Sequence, residues 1–295
     1  MNYEGIMTAL VTPLTNQNEV DKAKFRDLIN FQIESGVHSL LFLGGTGEYT
    51  SLSIVQKKEV IDLALKIVNG RVPVVIGLID PGIGNTIDLG LYAKDAGVNA
   101  LMIVTPYYVK PTQQGLINYY KKLDQTLDMS ILLYNIPHKT GVNMLPTTVE
   151  TIVNETSNIV GVKECTENFG QMVELINLVS DKITVLAGEE FAAVASMIFG
   201  AKGSVMASAN VMPALWVKLY DLIRKGETEK AIETNKKYYS VFKAIFMEGN
   251  PGPLKTLLEM KGLTSSNLNL PLIIPSKNTK SVLKRIETTT GAVHG

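Results

Sequence analysis

Cysteine is all but missing from this 295-residue chain. The single one, Cys165, excludes a framework of internal disulfides and suits a reducing, cytoplasmic setting. An excess of either charge is missing too. Lys plus Arg and Asp plus Glu are equal at 28 each, so no global field draws the chain to nucleic acid or an anionic membrane. No apolar run approaches the roughly 20 residues that cross a bilayer. The opening MNYEGIMTALVTPL lacks the basic-then-apolar layout of an export signal. The three histidines, His38, His138 and His294, are far apart and lack ligand spacing, so no metal is expected. No low-complexity linker interrupts the chain, and only 288–295 read as a tail of loop character.

What is present is an apolar share of 45%, enough for the core of one large α/β domain with or without an appendage. Short β-branched runs recur at Ile6–Thr12, His38–Leu43, Pro73–Leu78, Ala100–Val104, Ile131–Tyr134, Ile159–Lys163, Ile183–Ala187 and Gly203–Ala207. Stretches of helical period separate them. One puts Phe25, Leu28, Ile29 and Ile33 on a single face, and Gln56–Val68 does the same with Val60, Leu63, Ala64 and Ile67. Several end in Gly before the next strand, as in ESGVHSLLFL and DAGVNALMIV. Eight such units predict a (β/α)8 barrel, a TIM barrel. A doubly wound open sheet shares the alternation, but no GxGxxG opens the first unit. After the last run, Pro213–Lys225, Glu227–Met247, Pro253–Lys261 and Lys277–Glu287 read as helices. The expected division is a catalytic barrel over 1–224 and a C-terminal helical domain over 225–295.

In such a barrel the functional groups gather at the C-terminal ends of the strands. There the stretch GVKEC sets Lys163 where the pattern asks for another apolar residue. By the period of two, Ile159, Gly161 and Lys163 share one face, with Gly161 leaving space beneath the lysine. An inward lysine loses hydration, its pKa falls, and its amine becomes nucleophilic toward a ketone. The competing reading is a lysine that turns outward to pair with Glu164 or Glu167.

Tyr134, at the end of the fifth run, is placed to relay protons for Lys163, or is simply a core tyrosine with a satisfied hydroxyl. Lys139, in the next loop beside His138, is either a point charge for a carboxylate or an exposed loop lysine. GGTGEYTS carries Gly44, Gly45, Thr46 and Gly47, whose amides could cradle an anion or merely turn the chain. In TPYYVKP, Tyr107 and Tyr108 cannot both face one pocket, and one must point elsewhere, toward a partner chain. Cys165 reads as a small buried apolar residue rather than a nucleophile.

The motifs ALVTPL, GGTGEYTSL, TPYYVKPTQQGL, YNIPHKTGVNMLP, GVKEC, LAGEE, GSVMASANV and NPGPLK follow one another in order over residues 4–265. Together they resemble the dihydrodipicolinate synthase and N-acetylneuraminate lyase family of pyruvate-dependent lyases. The resemblance implies the barrel with its C-terminal helices and a homotetramer of two tight dimers. It implies that Lys163 condenses with pyruvate to an imine and then an enamine, which attacks an aldehyde. Tyr134 and Tyr108 would move protons. Gly45 and Thr46 would hold the pyruvate carboxylate, the Val205 carbonyl would lie near the substrate, and Tyr107 would sit at an interface. No cofactor is implied, because the imine itself is the electron sink.

Three departures from the family pattern bear on the second substrate. Gly45 replaces the first of a usual Thr-Thr pair, so a water has to bridge the two tyrosines. Lys139 replaces an arginine and loses its bidentate fork. GLIDPGIGN replaces a glycine-threonine-glycine pattern. The leading expectation is condensation of pyruvate with L-aspartate-4-semialdehyde. A lyase acting on a 2-keto-3-deoxy sugar acid and a catalytically weak binding paralogue are the alternatives. Positions matching a lysine-inhibition pocket read Ile54, Lys57, Pro81 and Asn85, so no strong inhibition by lysine is expected.

Overall fold

The computed structural model describes residues 3–290, with side chains through 287. Eight strands form in order: β1 Gly5–Ala9, β2 Ser39–Phe42, β3 Val74–Leu78, β4 Ala100–Val104, β5 Ile131–Asn135, β6 Ile159–Glu164, β7 Thr184–Ala187 and β8 Gly203–Met206. Each pairs in parallel with the next, and β8 returns to β1 to close the barrel. The near-continuous apolar runs follow from burial on both faces. In β4, Ala100, Met102 and Val104 fill the barrel interior, while Leu101 and Ile103 pack outward under the helices.

The helices bury the stripes their spacing predicts, with adjustments. Helix Lys22–Glu34 buries Phe25, Leu28 and Ile29, but Gln32 rather than Ile33 is its fourth buried residue. Gln32 is satisfied there: it accepts from the Thr8 hydroxyl at 2.8 Å and donates to the Asn210 carbonyl at 3.0 Å. Gly97 ends the helix Ile83–Ala96 at φ 93°, the left-handed turn that glycine takes without strain.

Two strand expectations change. The first run leaves the sheet after Ala9, because the Val11 amide donates to the Asn210 side chain and the Thr12 hydroxyl to the Gly47 carbonyl. In β6 the register against β5 shifts between Ile131 and Leu132, which pair with Ile159 and Gly161. Val160 is passed over, so Ile159 joins the outer core and Val160 packs on the interior cluster. Ile159 and Lys163 therefore do not share a face, although Lys163 still points inward.

After β8, helix Pro213–Arg224 covers β1. Its Trp216 stacks on Phe242 of helix Thr228–Ile245, with ring centroids 5.3 Å apart. Helices Gly252–Met260 and Lys277–Thr290 follow. The last runs three residues beyond the expected Glu287, into the stretch read as a tail; 291–295 lie outside the described residues. The segment around Asn250–Asn269 folds back onto the loops at the C-terminal ends of β1 and β2. Among the described residues no helix is long and apolar enough to cross a membrane.

Candidate active site

Tyr134 and Lys163 are paired across β5 and β6 at the C-terminal end of the barrel. The Lys163 ammonium stands 4.3 Å from the centroid of the Tyr134 ring, within range of cation–π attraction. Glu164 is no partner for it. That carboxylate accepts from Asn135 Nδ2 at 3.0 Å on each oxygen. Nor is any ion pair of Lys163 found among the described residues. The outward reading of the lysine is thus set aside.

Room for the lysine comes from Gly188, just after β7. A Cβ there would lie 2.8 Å from Lys163 Cε and 2.2 Å from Cys165 Sγ. Gly161, expected to provide that space, serves strand packing instead. Its Cβ would meet the Thr184 carbonyl at 2.9 Å and Leu132 Cδ2 at 3.2 Å.

The neighbours of Lys163 oppose the fall in its pKa that burial produces. Burial pulls it down, but the Tyr134, Cys165 and Glu190 charges raise it further, and the net direction is upward. Each of these groups acts so only when ionised. Burial pushes the Tyr134 phenol up, the Cys165 thiol up to about 12, and the Glu190 carboxyl up to about 7. Around neutrality the phenol and thiol are neutral, so their upward pull on the lysine acts only where they ionise. Nucleophilic attack requires the neutral amine.

Lys163, Tyr134, Gly45, Thr46, Lys139 and Val205 all line one cavity of about 390 Å³. The Thr46 hydroxyl is buried and accepts from Asn250 Nδ2 at 2.9 Å. Lys139 is exposed as a residue, and its ammonium lies near Gly45, where a Cβ would be 3.9 Å from Nζ. Shielding in the pocket, then the charge of Lys163, lowers the Lys139 pKa. His138, Glu167, Glu189 and Glu190 line the same cavity.

The two tyrosines after β4 point to different sides within the chain. Tyr107, read as an interface residue, packs on the barrel-interior cluster and donates to the Ile79 carbonyl at 3.3 Å. Tyr108, read as part of the relay, is 94% exposed at φ 72° and is not among the residues of the cavity. Because Tyr107 takes the inward side, its neighbour is turned to solvent.

Several residues of the site carried no clear signal in the sequence. Gly188 and Glu190 stood in the LAGEE motif without a role. Glu190 accepts the Ala207 amide at 2.7 Å and the Ser208 amide at 3.1 Å, pinning the turn that follows Val205 and β8. Phe246 and Asn250 reach the cavity from the connection between helices Thr228–Ile245 and Gly252–Met260. Among the described residues no three His, Cys, Asp or Glu side chains gather as metal ligands.

Comparison with known proteins gives consistent neighbours. The model of the dihydrodipicolinate synthetase family matches residues 2–289. The 4-hydroxy-tetrahydrodipicolinate synthase of Methanocaldococcus jannaschii is 38% identical over 284 residues, 96% of this chain and 97% of that protein. The crystal structure of dihydrodipicolinate synthase from Thermotoga maritima superposes with a TM-score of 0.96 at 33% identity, covering 98% of this chain and 99% of the other. That of the Acinetobacter baumannii enzyme, complexed with pyruvate, superposes with a TM-score of 0.96 at 30% identity, covering 99% and 100%.

Proposed function

The chain belongs to the dihydrodipicolinate synthetase family, and from that membership we propose that it condenses pyruvate with L-aspartate-4-semialdehyde through an imine on Lys163. The observation that supports the reading is a buried lysine, paired with Tyr134, that lines a cavity shared with Thr46 and Lys139.

The chemistry follows from those groups. Tyr134 moves the proton that Lys163 must lose. The free Nζ attacks C2 of pyruvate, and water leaves to give the imine. Loss of a C3 proton gives the enamine, and C3 adds to the aldehyde carbon of the second substrate. The amine of that substrate displaces Lys163 from C2, which closes a six-membered ring and restores the lysine. The Gly45–Thr46 turn receives the pyruvate carboxylate, with Val205 beside it, and Lys139 receives the carboxylate of the aldehyde as a point charge.

Assembly as a homotetramer, a dimer of dimers, is part of the same proposal. Tyr108, Val109 and Phe199 are large apolar side chains exposed in the single chain, as a buried contact between copies would need. Tyr108 can enter the relay only from a neighbouring copy, since it is outside the cavity of its own chain. We also read the chain as cytoplasmic, which its one buried thiol suits.

The test is an aldehyde panel with purified protein and pyruvate. Turnover with aspartate semialdehyde, well above that with glyceraldehyde, supports the reading. The reverse preference assigns the chain to the sugar-acid lyases.

A further inference from the structure

The glycine loop after β2 is bracketed by two strained residues. Leu43 has φ 58° and Glu48 φ 60°, the left-handed region that costs a side-chain-bearing residue free energy. Such conformations persist where surroundings over-determine them. Leu43 is fully buried and close under Gly77, whose Cβ would meet the Leu43 carbonyl at 2.6 Å. Glu48 is held by something more distant.

Glu48 and Lys255 form an ion pair at 2.5 Å, with both side chains fully buried. It joins the loop after β2 to helix Gly252–Met260, 207 residues further along the chain. Both carboxylate oxygens are engaged: Oε1 takes Lys255 Nζ and Oε2 takes the Asn269 amide at 2.9 Å. Lys255 also donates to the Asn267 carbonyl at 2.7 Å. A second link runs from Asn250 to the Thr46 hydroxyl. That hydroxyl, occupied as an acceptor, is left its own proton to donate into the cavity.

A buried ion pair is weak evidence for stability, since an apolar pair of similar volume often serves as well. It is better suited to fixing geometry. We infer that the Glu48–Lys255 pair is a positioning device, through which the C-terminal helices hold the Gly45–Thr46 turn in the shape that receives a carboxylate. Neither residue lines the cavity, so both act through the loop. The inference deepens the pyruvate reading and rests on it for the identity of the carboxylate.

The test uses the full chain with two variants. Glu48→Met with Lys255→Met replaces the pair by apolar groups of similar length. Glu48→Gln keeps the shape and removes one charge. Deuterium uptake is followed over 43–52, with β4 and β5 as internal controls. In parallel, the pyruvate concentration that half-saturates borohydride trapping on Lys163 is measured. The expected result is a folded protein with about tenfold faster uptake over 43–52 and unchanged uptake in the controls. Half-saturating pyruvate rises about 10- to 100-fold, as for a misplaced binding group, while the adduct yield at saturation stays the same. Native uptake over 43–52 in either folded variant overturns the inference. So does faster uptake throughout the barrel, or an unchanged half-saturation. If the double variant fails to fold, Glu48→Gln gives the same two readouts. A wild-type chain that traps no pyruvate refutes the pyruvate reading, and the uptake result alone then decides this one.

Discussion

Lys163 and Tyr134 occupy paired positions on β6 and β5, and the lysine ammonium lies 4.3 Å from the centre of the tyrosine ring. The ring face shields the charge, while the phenol stays neutral because burial raises its pKa. The pair thus separates two roles, packing by the ring and proton transfer by the hydroxyl. Tyr134→Phe keeps the first and removes the second. The expected outcome is a kcat lower by about 10²- to 10⁴-fold, the range of general acid–base catalysis, in a protein that still melts near the wild-type temperature. Steady-state rates beside a thermal melt check this, and a kcat within threefold of wild type would remove Tyr134 from the relay.

Gly188 predicts a steric effect. In Gly188→Ala the new methyl must displace Cys165 Sγ and Lys163 Cε, the former at only 2.2 Å. Overpacking of this kind costs about 1–3 kcal/mol. Denaturant melts should show that loss, and kcat/KM should fall at least about 100-fold because the lysine moves. Full activity would mean the lysine is free to stand elsewhere.

Gly45 predicts the opposite. Its φ is not in the left-handed region, and the nearest atom to an added Cβ is Lys139 Nζ at 3.9 Å. Gly45→Thr should fold with stability within about 0.5 kcal/mol of wild type. It should raise kcat severalfold by supplying the hydroxyl that the proposed relay through Tyr134 lacks. A lower kcat in a folded protein would show that the open space is used by substrate.

Glu164 predicts a pH dependence of stability. Burial, opposed by hydrogen bonds from Asn135 and Gln171, lifts its carboxyl to about 7 from a reference of 4.5. Between those values the folded chain binds the proton and the unfolded chain does not, so stability falls as pH rises through that window. Each tenfold difference in proton affinity between the folded and unfolded chain is worth about 1.4 kcal/mol. Glu164→Gln should therefore lose less melting temperature than wild type between pH 5 and about 7.5. Equal losses would show that Glu164 is not raised.

Much of this was legible in the sequence, for local reasons. The barrel followed from eight β-branched runs, and Lys163 from one charge at the end of such a run. The facing of Ile159 was not legible, because the shift beside Val160 is a relation between two strands. Nor was the choice between Tyr107 and Tyr108, adjacent residues of one type whose directions depend on the turn after β4. The direction of the lysine pKa was not legible either, because it depends on the phenol, thiol and carboxyl that the fold gathers around the amine as well as on burial. Glu48 with Lys255, and Gly188 with Lys163, are juxtapositions that only the closed barrel creates.

The most direct test of the account is borohydride reduction in the presence of pyruvate, read by intact mass and peptide mapping. The account predicts one pyruvate-derived adduct per chain, on the peptide containing Lys163, and none in Lys163→Ala. An adduct on another lysine, or no adduct at saturating pyruvate, would contradict it.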